Sequence, residues 1–303
     1  MKTIGITLGD QAGIGPEIVA ASLADPRLVQ WFPSDVEFRI IGERINATPG
    51  QPDIASSQAA LDALEEGVRL LKAGEIDGLV TAPVAKEGLH KVGFDFPGQT
   101  EFFADRLGCE DHAMCLTGAK LTVALVTIHV PISTVAASLR ESEIIRVGIL
   151  LEKFCRQKRR SKLTSGEPRI AVCGLNPHAG EDSAFGSEDQ QIIAPAIAKL
   201  NQLHPSETEI FTGPHPADTI FKPASEGEYD AVLCMYHDQG LIPLKLLDFD
   251  TGVNVTLGLS HPRTSPDHGT AFDIAGKSLA DHTSMLHAIK LATELVIGEK
   301  GEV

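Results

Sequence analysis

Residues 3–23, TIGITLGDQAGIGPEIVAASL, pass from an apolar strand pattern through a glycine-rich turn into a helical pattern. Ile4–Leu8 is the β-rich run, and Pro16 presets φ for the first turn of the helix. A strand feeding a helix through a tight turn is the unit from which α/β proteins are built. The alternation continues along the chain. Strand patterns fall at Glu37–Ile41, Gly78–Ala82, Leu121–Ile128, Arg169–Cys173, Ala231–Met235 and Val253–Leu257. Helical patterns fall at Ser57–Lys72, Thr100–Leu107, Ile144–Phe154 and Met285–Ile297. In the first of these Leu61, Leu64, Val68 and Leu71 keep helical spacing. Ser187-Glu-Asp-Gln190 reads as a capping box that opens a helix to about Leu203. The pattern predicts an α/β protein with a mostly parallel sheet.

Composition narrows the class. The 303 residues suit two lobes, because single cores stop growing near ~250–300 residues. Hydrophobic residues at 43% and charged residues at 22% fit a folded protein and exclude a disordered one. The net charge of −15 argues against a nucleic-acid partner, which needs a basic face. An anionic substrate would have to be met by a few placed cations. Cys109, Cys115, Cys155, Cys173 and Cys234 form no C-x-x-C pair, which predicts free thiols in a reducing compartment. The opening residues do not follow a signal-peptide pattern, and no apolar run approaches the ~20 residues of a membrane span. The expectation is a cytoplasmic protein without a membrane partner. Arg156–Pro168, RQKRRSKLTSGEP, is expected to be a solvated loop.

The polar clusters GDQAGIGPE, TAPVAK, HVP, NPHAGED, YHDQG and SHPRTSPDHG all follow strand patterns. In open α/β sheets the ligand site lies beyond the carboxyl ends of the strands, so these clusters point to one convergent site. His129, His178 and His237 stand in equivalent places in three of them. Neutral imidazole is the commonest metal ligand, and three ligands leave a position open for chemistry. Their spacing matches no local zinc motif, and a histidine at a strand end taken singly is more often a hydrogen-bonded loop residue; three in equivalent places shift the balance. Asp238 and Lys245 lie close in sequence to His237 and are the candidate catalytic residues, either able to take an alcohol proton. Asp238 could instead close an Asx-turn or orient a histidine. Lys245, Asn254 and Arg263 offer donors for a carboxylate or phosphate. Asp267–Lys277 reads as a loop leading into a helix, open to a nucleotide or acting as a cap; Asp267, His268, Gly269 and Asp273 are its candidate cofactor contacts. The turn at Gly9–Glu17 has Ile18 where a dinucleotide fingerprint needs its third glycine, and it is not a P-loop. It keeps the anion-binding potential of any helix N-terminus.

In order along nearly the whole chain, LGDQAGIGPE, VTAPVAK, PGQTEFFA, LNPHAGE, GPHPADTIF, MYHDQGLIPLK, GVNVTLGL and RTSPDHGTAFDIAGK resemble the 4-hydroxythreonine-4-phosphate dehydrogenase family. The resemblance implies a two-lobed, three-layer α/β/α fold like that of isocitrate and isopropylmalate dehydrogenases, without the Rossmann fingerprint. The first lobe would comprise 1–118 and 245–303 on the nucleotide side. The second, 119–244, would carry the metal site and dimer interface. The resemblance also implies a homodimer whose metal ligands, His129, His178 and His237, are contributed across the interface. Substrate-binding positions fall on Gln99, Thr100, Lys245, Asn254 and Arg263. The cofactors would be NAD or NADP and one divalent ion (Zn, Mg, Co or Mn). The implied reaction oxidises the secondary alcohol of 4-phosphooxy-L-threonine to a 3-oxo acid. That acid decarboxylates to 3-amino-2-oxopropyl phosphate in vitamin B6 (pyridoxal phosphate) synthesis.

Two positions depart from the family pattern. Gln99 stands where the family usually has His, and Gln11 where it usually has Pro. Glutamine donates hydrogen bonds but carries no charge. An alternative reading is therefore a paralogue acting on 4-phospho-threonate or 4-phospho-erythronate. A lower alternative is a metal-dependent hydrolase or lyase using the same histidines, which would leave Asp267–Lys277 without a role.

Overall fold

The computed structural model describes residues 1–32, 36–203 and 208–298. In chain order the elements are β1 (Lys2–Thr7), α1 (Gly15–Ala24), α2 (Pro26–Trp31), β2 (Val36–Ile41), α3 (Ile54–Lys72), β3 (Gly78–Thr81), α4 (Lys86–Lys91), α5 (Gln99–Leu107), β4 (Ala113–Thr117) and β5 (Thr122–Leu125). There follow α6 (Ile132–Ser138), α7 (Glu141–Ser161), β6 (Ile170–Cys173), α8 (Ala194–Leu203), β7 (Phe211–His215), α9 (Phe221–Ser225), β8 (Ala231–Cys234), α10 (His237–Asp248), β9 (Val253–Leu257), β10 (Arg263–Pro266) and α11 (Thr283–Gly298). The chain divides into two compact units, Met1–Glu110 with Val253–Val303, and Asp111–Gly252.

In the first unit β1 pairs in parallel with β2 and β3, and β3 with β10. Strands β9 and β10 pair antiparallel, because the five residues 258–262 between them are too few for a crossover. Helices cover both faces, which is why these strands read as apolar runs. On β3, Leu79 faces α3, where a Cβ added at Gly67 would lie 3.1 Å from it. Its neighbour Gly78 faces α11, with Val296 at 3.0 Å from the same kind of probe. Helix α3 starts with a capping box. Asp53 accepts from the Ser56 amide at 2.7 Å, and the Ser56 hydroxyl accepts from the Asp53 amide at 3.2 Å. Its buried stripe of Ala60, Leu64, Val68 and Leu71 packs with Leu79, Phe102 and Phe103.

The glycine-rich turn after β1 is a packing junction. A Cβ on Gly9 (φ 66°) would lie 2.2 Å from the Pro83 carbonyl oxygen, and one on Gly15 would lie 2.1 Å from that of Leu8. The turn's amides are largely engaged. Ala12 donates to the Asp10 carboxylate at 3.0 Å, Gly13 to the Asp10 carbonyl at 3.0 Å and Ile14 to the Thr270 carbonyl at 2.9 Å. The anion-binding potential of this helix start is thereby reduced, since those donors are satisfied within the protein.

In the second unit β4 and β5 form an antiparallel hairpin, while β5–β8, β8–β6 and β6–β7 pair in parallel. Val123, Leu125, Val232 and Cys234 pack against Leu241 and Leu244 of α10. A Cβ on Gly240 would lie 3.0 Å from both Leu125 and Cys234, so this glycine lets the helix approach closely. The hairpin turn is held by Asp248, buried at the end of α10. Its carboxylate accepts from the amides of Leu121 at 2.9 Å, Lys120 at 3.0 Å and Ala119 at 3.1 Å. Gly118 makes room for it, since a Cβ there would come within 2.4 Å of the Asp248 side chain.

The sheet is mostly parallel, as expected, with antiparallel pairing at the β9–β10 and β4–β5 hairpins. Several other sequence expectations change. The two compact units divide at 110/111 and 252/253, and α10 runs unbroken to Asp248. Lys245 therefore belongs to the second unit. Residues Arg156–Ser161 continue α7 instead of forming a loop, with Arg156 paired to Glu152 one turn earlier at 2.9 Å. Strand β5 ends at Leu125, short of Ile128. Residues after Asp267 stay non-helical until Thr283. The helix expected from Ser187 opens at Asp189 as a single π-turn without side-chain capping. Among the described residues no helix is long and apolar enough to cross a membrane.

Replacing Asp248 with Ala strands three amides at a buried turn. We expect it to cost about 3 kcal/mol of unfolding free energy in urea titrations. A loss below about 1 kcal/mol would show that water replaces the carboxylate.

Candidate active site

Strands β5, β8 and β6 lie side by side and parallel, with Leu125 opposite Cys234 and Val172 opposite Leu233. His129, His237 and His178 follow their respective carboxyl ends by three to five residues. The backbone pairing of β5 with β8 extends past the strands, through Val126 N–H to the Cys234 carbonyl at 2.9 Å and Thr127 N–H to that of Met235 at 3.2 Å. This brings the His129 and His237 rings to 5.7 Å between centroids. His237 Nδ1 lies 2.7 Å from Asp238 Oδ1, an arrangement that fixes the tautomer and leaves Nε2 for another partner. Two exposed or half-exposed imidazoles on adjacent strand ends, one oriented by a carboxylate, are a donor set suited to a divalent ion. Among the described residues no three His, Cys, Asp or Glu side chains of one chain converge as a metal site. His178 stands apart from the pair, with its ring 6.1 Å from that of Phe185.

The segment that carries His178 has an unusual backbone. His178, Ala179, Gly180, Glu181, Asp182 and Ser183 all have positive φ, between 39° and 83°. Each non-glycine residue in this conformation costs roughly 1–2 kcal/mol. Two side chains that the sequence reading missed hold its base. Asp189, fully buried, accepts from the Leu175 amide at 2.8 Å, the Asn176 amide at 3.2 Å and Asn176 Nδ2 at 2.8 Å. Gln239, on the first turn of α10, accepts from the Met235 amide at 2.6 Å and donates to the Gly174 carbonyl at 2.8 Å. The ends of β8 and β6 are thus tied through one side chain. Asp189 lies between the two residues of the expected Ser187–Gln190 capping box and was given no role of its own; Gln239 offered no signal beyond its nearness to His237. Lys245 is half-buried on α10, two turns beyond His237.

The first unit holds a separate cluster. Arg263 is a strand residue of β10, and it is 2% exposed. It donates to Gln99 Oε1 at 2.9 Å, to the Thr81 hydroxyl and to the Thr256 hydroxyl at 3.4 Å. Its guanidinium lies over the Phe103 ring at 5.2 Å. Its Nε is buried without a partner. No carboxylate lies within ion-pair distance of it among the described residues. Burial pushes the guanidinium pKa down, and the Glu101 carboxylate only partly restores it. A buried, uncompensated cation is costly and favours an incoming anion. Thr100, in the first turn of α5, reaches Thr256 at 3.5 Å between hydroxyl oxygens. Asn254 on β9 has a buried side-chain oxygen without a partner.

The loop after β10 contains the candidate cofactor residues. His268 is partly buried, its Nε2 has no partner, and desolvation lowers its pKa, so the ring is neutral near pH 7. A neutral imidazole with a buried, unpartnered nitrogen fits a site that receives a ligand. Asp267 anchors the loop, its amide donating to the Ser284 hydroxyl at 3.1 Å. Gly269 and Asp273 are exposed, and a Cβ on Gly269 would meet nothing within 4 Å.

The comparisons place the chain among dehydrogenase-class oxidoreductases. The chain is 42% identical to the 4-hydroxythreonine-4-phosphate dehydrogenase of Erythrobacter litoralis (strain HTCC2594), over 97% of this chain and 96% of that one. A crystal structure of 4-hydroxythreonine-4-phosphate dehydrogenase from Klebsiella pneumoniae superposes with a TM-score of 0.81 at 35% identity, covering 98% and 100% of the two chains. Isocitrate dehydrogenase from Methylococcus capsulatus shares the fold alone, with a TM-score of 0.55 at 15% identity over 100% of this chain and 86% of that one. The family model described as pyridoxal phosphate biosynthetic protein PdxA matches residues 18–292, and the chain belongs to that family.

If Arg263 awaits an anion, millimolar phosphate should raise the thermal midpoint of the protein by about 2 °C. Arg263→Met should abolish that rise while remaining folded. An equal rise in both proteins would place the anion elsewhere.

Proposed function

We propose that this dehydrogenase oxidises the secondary alcohol of 4-phosphooxy-L-threonine with NAD or NADP, giving a 3-oxo acid that loses carbon dioxide. The observation that carries the reading is the buried Arg263, which has no carboxylate in ion-pair contact among the described residues and is bordered by Gln99, Thr81 and Thr256. Such a group suits a substrate bearing a carboxylate or phosphate. Thr100 and Asn254 supply further polar contacts to it.

His129, His178 and His237 are the proposed ligands of one divalent ion. The pairing of His129 with His237, and the separate placement of His178, support ligands drawn from two subunits. When bound, the ion supplies Lewis acidity to the substrate oxygen and to the charge left by decarboxylation. The nicotinamide ring supplies the hydride acceptor. Asp238 orients His237 through Nδ1, and Lys245 is the group that takes the alcohol proton. The 267–277 loop, with His268, contributes to the cofactor site. Homodimerisation is supported by Ile242 and Leu246 of α10 and Phe249 just past its end, an exposed apolar stripe at helical spacing. All five cysteines are free, in keeping with a cytoplasmic setting.

A second reading, a 4-phospho-threonate or 4-phospho-erythronate dehydrogenase, is favoured by one observation. Gln99 spends its carbonyl oxygen on Arg263 and adds no charge beside it. Substrate choice at this position is testable. Gln99→His should shift relative kcat/KM among the three phosphorylated acids by about tenfold or more. An unchanged ranking would remove Gln99 from substrate selection.

The metal-loaded protein should form NADH from one of these acids and lose activity to a chelator. No NADH from any of them would sink the proposal. Inactive His178→Ala and His237→Ala chains, mixed under subunit exchange, should recover about one quarter of wild-type activity, because half the dimers are mixed and each holds one whole site. Full exchange without recovery would make the ligand set intrachain.

A further inference from the structure

The segments that carry the three candidate ligand histidines of one chain are joined by an unbroken series of short contacts. Thr127, two residues before His129, gives its amide and its hydroxyl to the Met235 carbonyl, at 3.2 and 2.8 Å. Met235, two residues before His237, gives its own amide to Gln239 Oε1 at 2.6 Å. Gln239 Nε2 reaches the Gly174 carbonyl at 2.8 Å. Gly174 in turn is wedged against the turn that carries His178. A Cβ on Gly174 would lie 2.9 Å from Cα and Cβ of Ala179, and 2.6 Å from Asp189 Oδ1. The residue beside His178 is thus packed directly on the strand end that Gln239 holds.

The residue type matters at the centre of this series. Gln239 is buried and must accept from one strand end while donating to the other. A primary amide does both; an ionised carboxylate only accepts. Close-packed elements shift between discrete arrangements and deform little, so a displacement at Met235 is handed on to Gly174. The turn at 178–183 keeps positive φ throughout, on a base pinned by Asp189. On the reading above, His129 and His237 serve one metal site while His178 of the same chain serves the other. A rigid link within one chain is then a link between the two sites of the dimer. Ordering the His129–His237 pair around one ion also orders the His178 turn, so the second ion meets less of that entropic cost.

We propose that Gln239 is a positioning residue that couples the two metal sites of the dimer, so that filling one raises the affinity of the other. The proposal rests on the intersubunit metal reading above.

Calorimetric isotherms of the full-length dimer with Co²⁺, without substrate, test it apart from turnover. The wild type should bind one ion per chain with a Hill coefficient of about 1.4, which corresponds to a gain of about fivefold at the second site. Gln239→Glu keeps the acceptor for Met235 but, ionised, has no donor for Gly174, and its coefficient should fall to about 1. Gln239→Met, neutral and similar in volume, removes both bonds and should do the same, which covers the case in which a buried carboxylate unfolds the chain. Non-cooperative binding by the wild type would overturn the coupling and leave the metal reading standing. Variants that bind Co²⁺ more weakly with the wild-type coefficient would reduce Gln239 to a purely structural part and overturn it as well. A wild type that takes up no Co²⁺ would remove the metal reading itself.

Discussion

The histidine-bearing end of the second unit depends on the two hydrogen bonds of Gln239. Parallel strands buried on both faces satisfy their own backbone groups until they end, and there the chains are free to diverge. Gln239 prevents this between β8 and β6 by taking the Met235 amide and giving to the Gly174 carbonyl. It is buried, so neither bond is replaced cheaply by water. Everything beyond is placed relative to that link. His237 precedes Gln239 by two residues, and His178 follows Gly174 by four. Asp189 then fixes Leu175 and Asn176, so the strained turn starts from a rigid base.

Much of this was legible in the sequence. The strand–turn–helix order gave the α/β class, because period and turn chemistry are local signals. The histidine positions were visible because polar residues at the ends of apolar runs stand out. The strand that carries Arg263 left no periodic pattern in SHPRTSP, because it is short and its parallel partner β3 comes from a distant part of the chain. The role of Gln239 was hidden for the same reason. A bond to Gly174 is 65 residues away and leaves no periodic trace. The basic run at 156–161 misled because its charges resemble a linker, whereas Glu152 and Arg156 are a helical i, i+4 pair.

Arg263 and the histidine pair illustrate opposite ways of holding polar chemistry. The histidines are kept near water and oriented by backbone and Asp238. Arg263 is withdrawn from water among hydroxyls, an amide and a phenyl face, none of which cancels its charge. The first arrangement costs little and leaves Nε2 of His237 for another partner. The second raises the free energy of the empty protein and concentrates electrostatic attraction at one point, against an overall charge of −15.

The first unit is assembled from both ends of the chain, with β10 joined to β3 and α11 laid over the same strands. A chain leaving the ribosome N-terminus first therefore presents β1, β2 and β3 long before their remaining partners exist. Residues 111–252, by contrast, are complete and can fold while the last fifty residues are still being made. During that interval β3 has an open edge in the position that β10 will fill, the kind of edge that invites pairing with another nascent chain. Synthesis order thus makes the last strand and helix the step that commits the anion-binding unit, and makes C-terminal truncations more damaging than their length suggests.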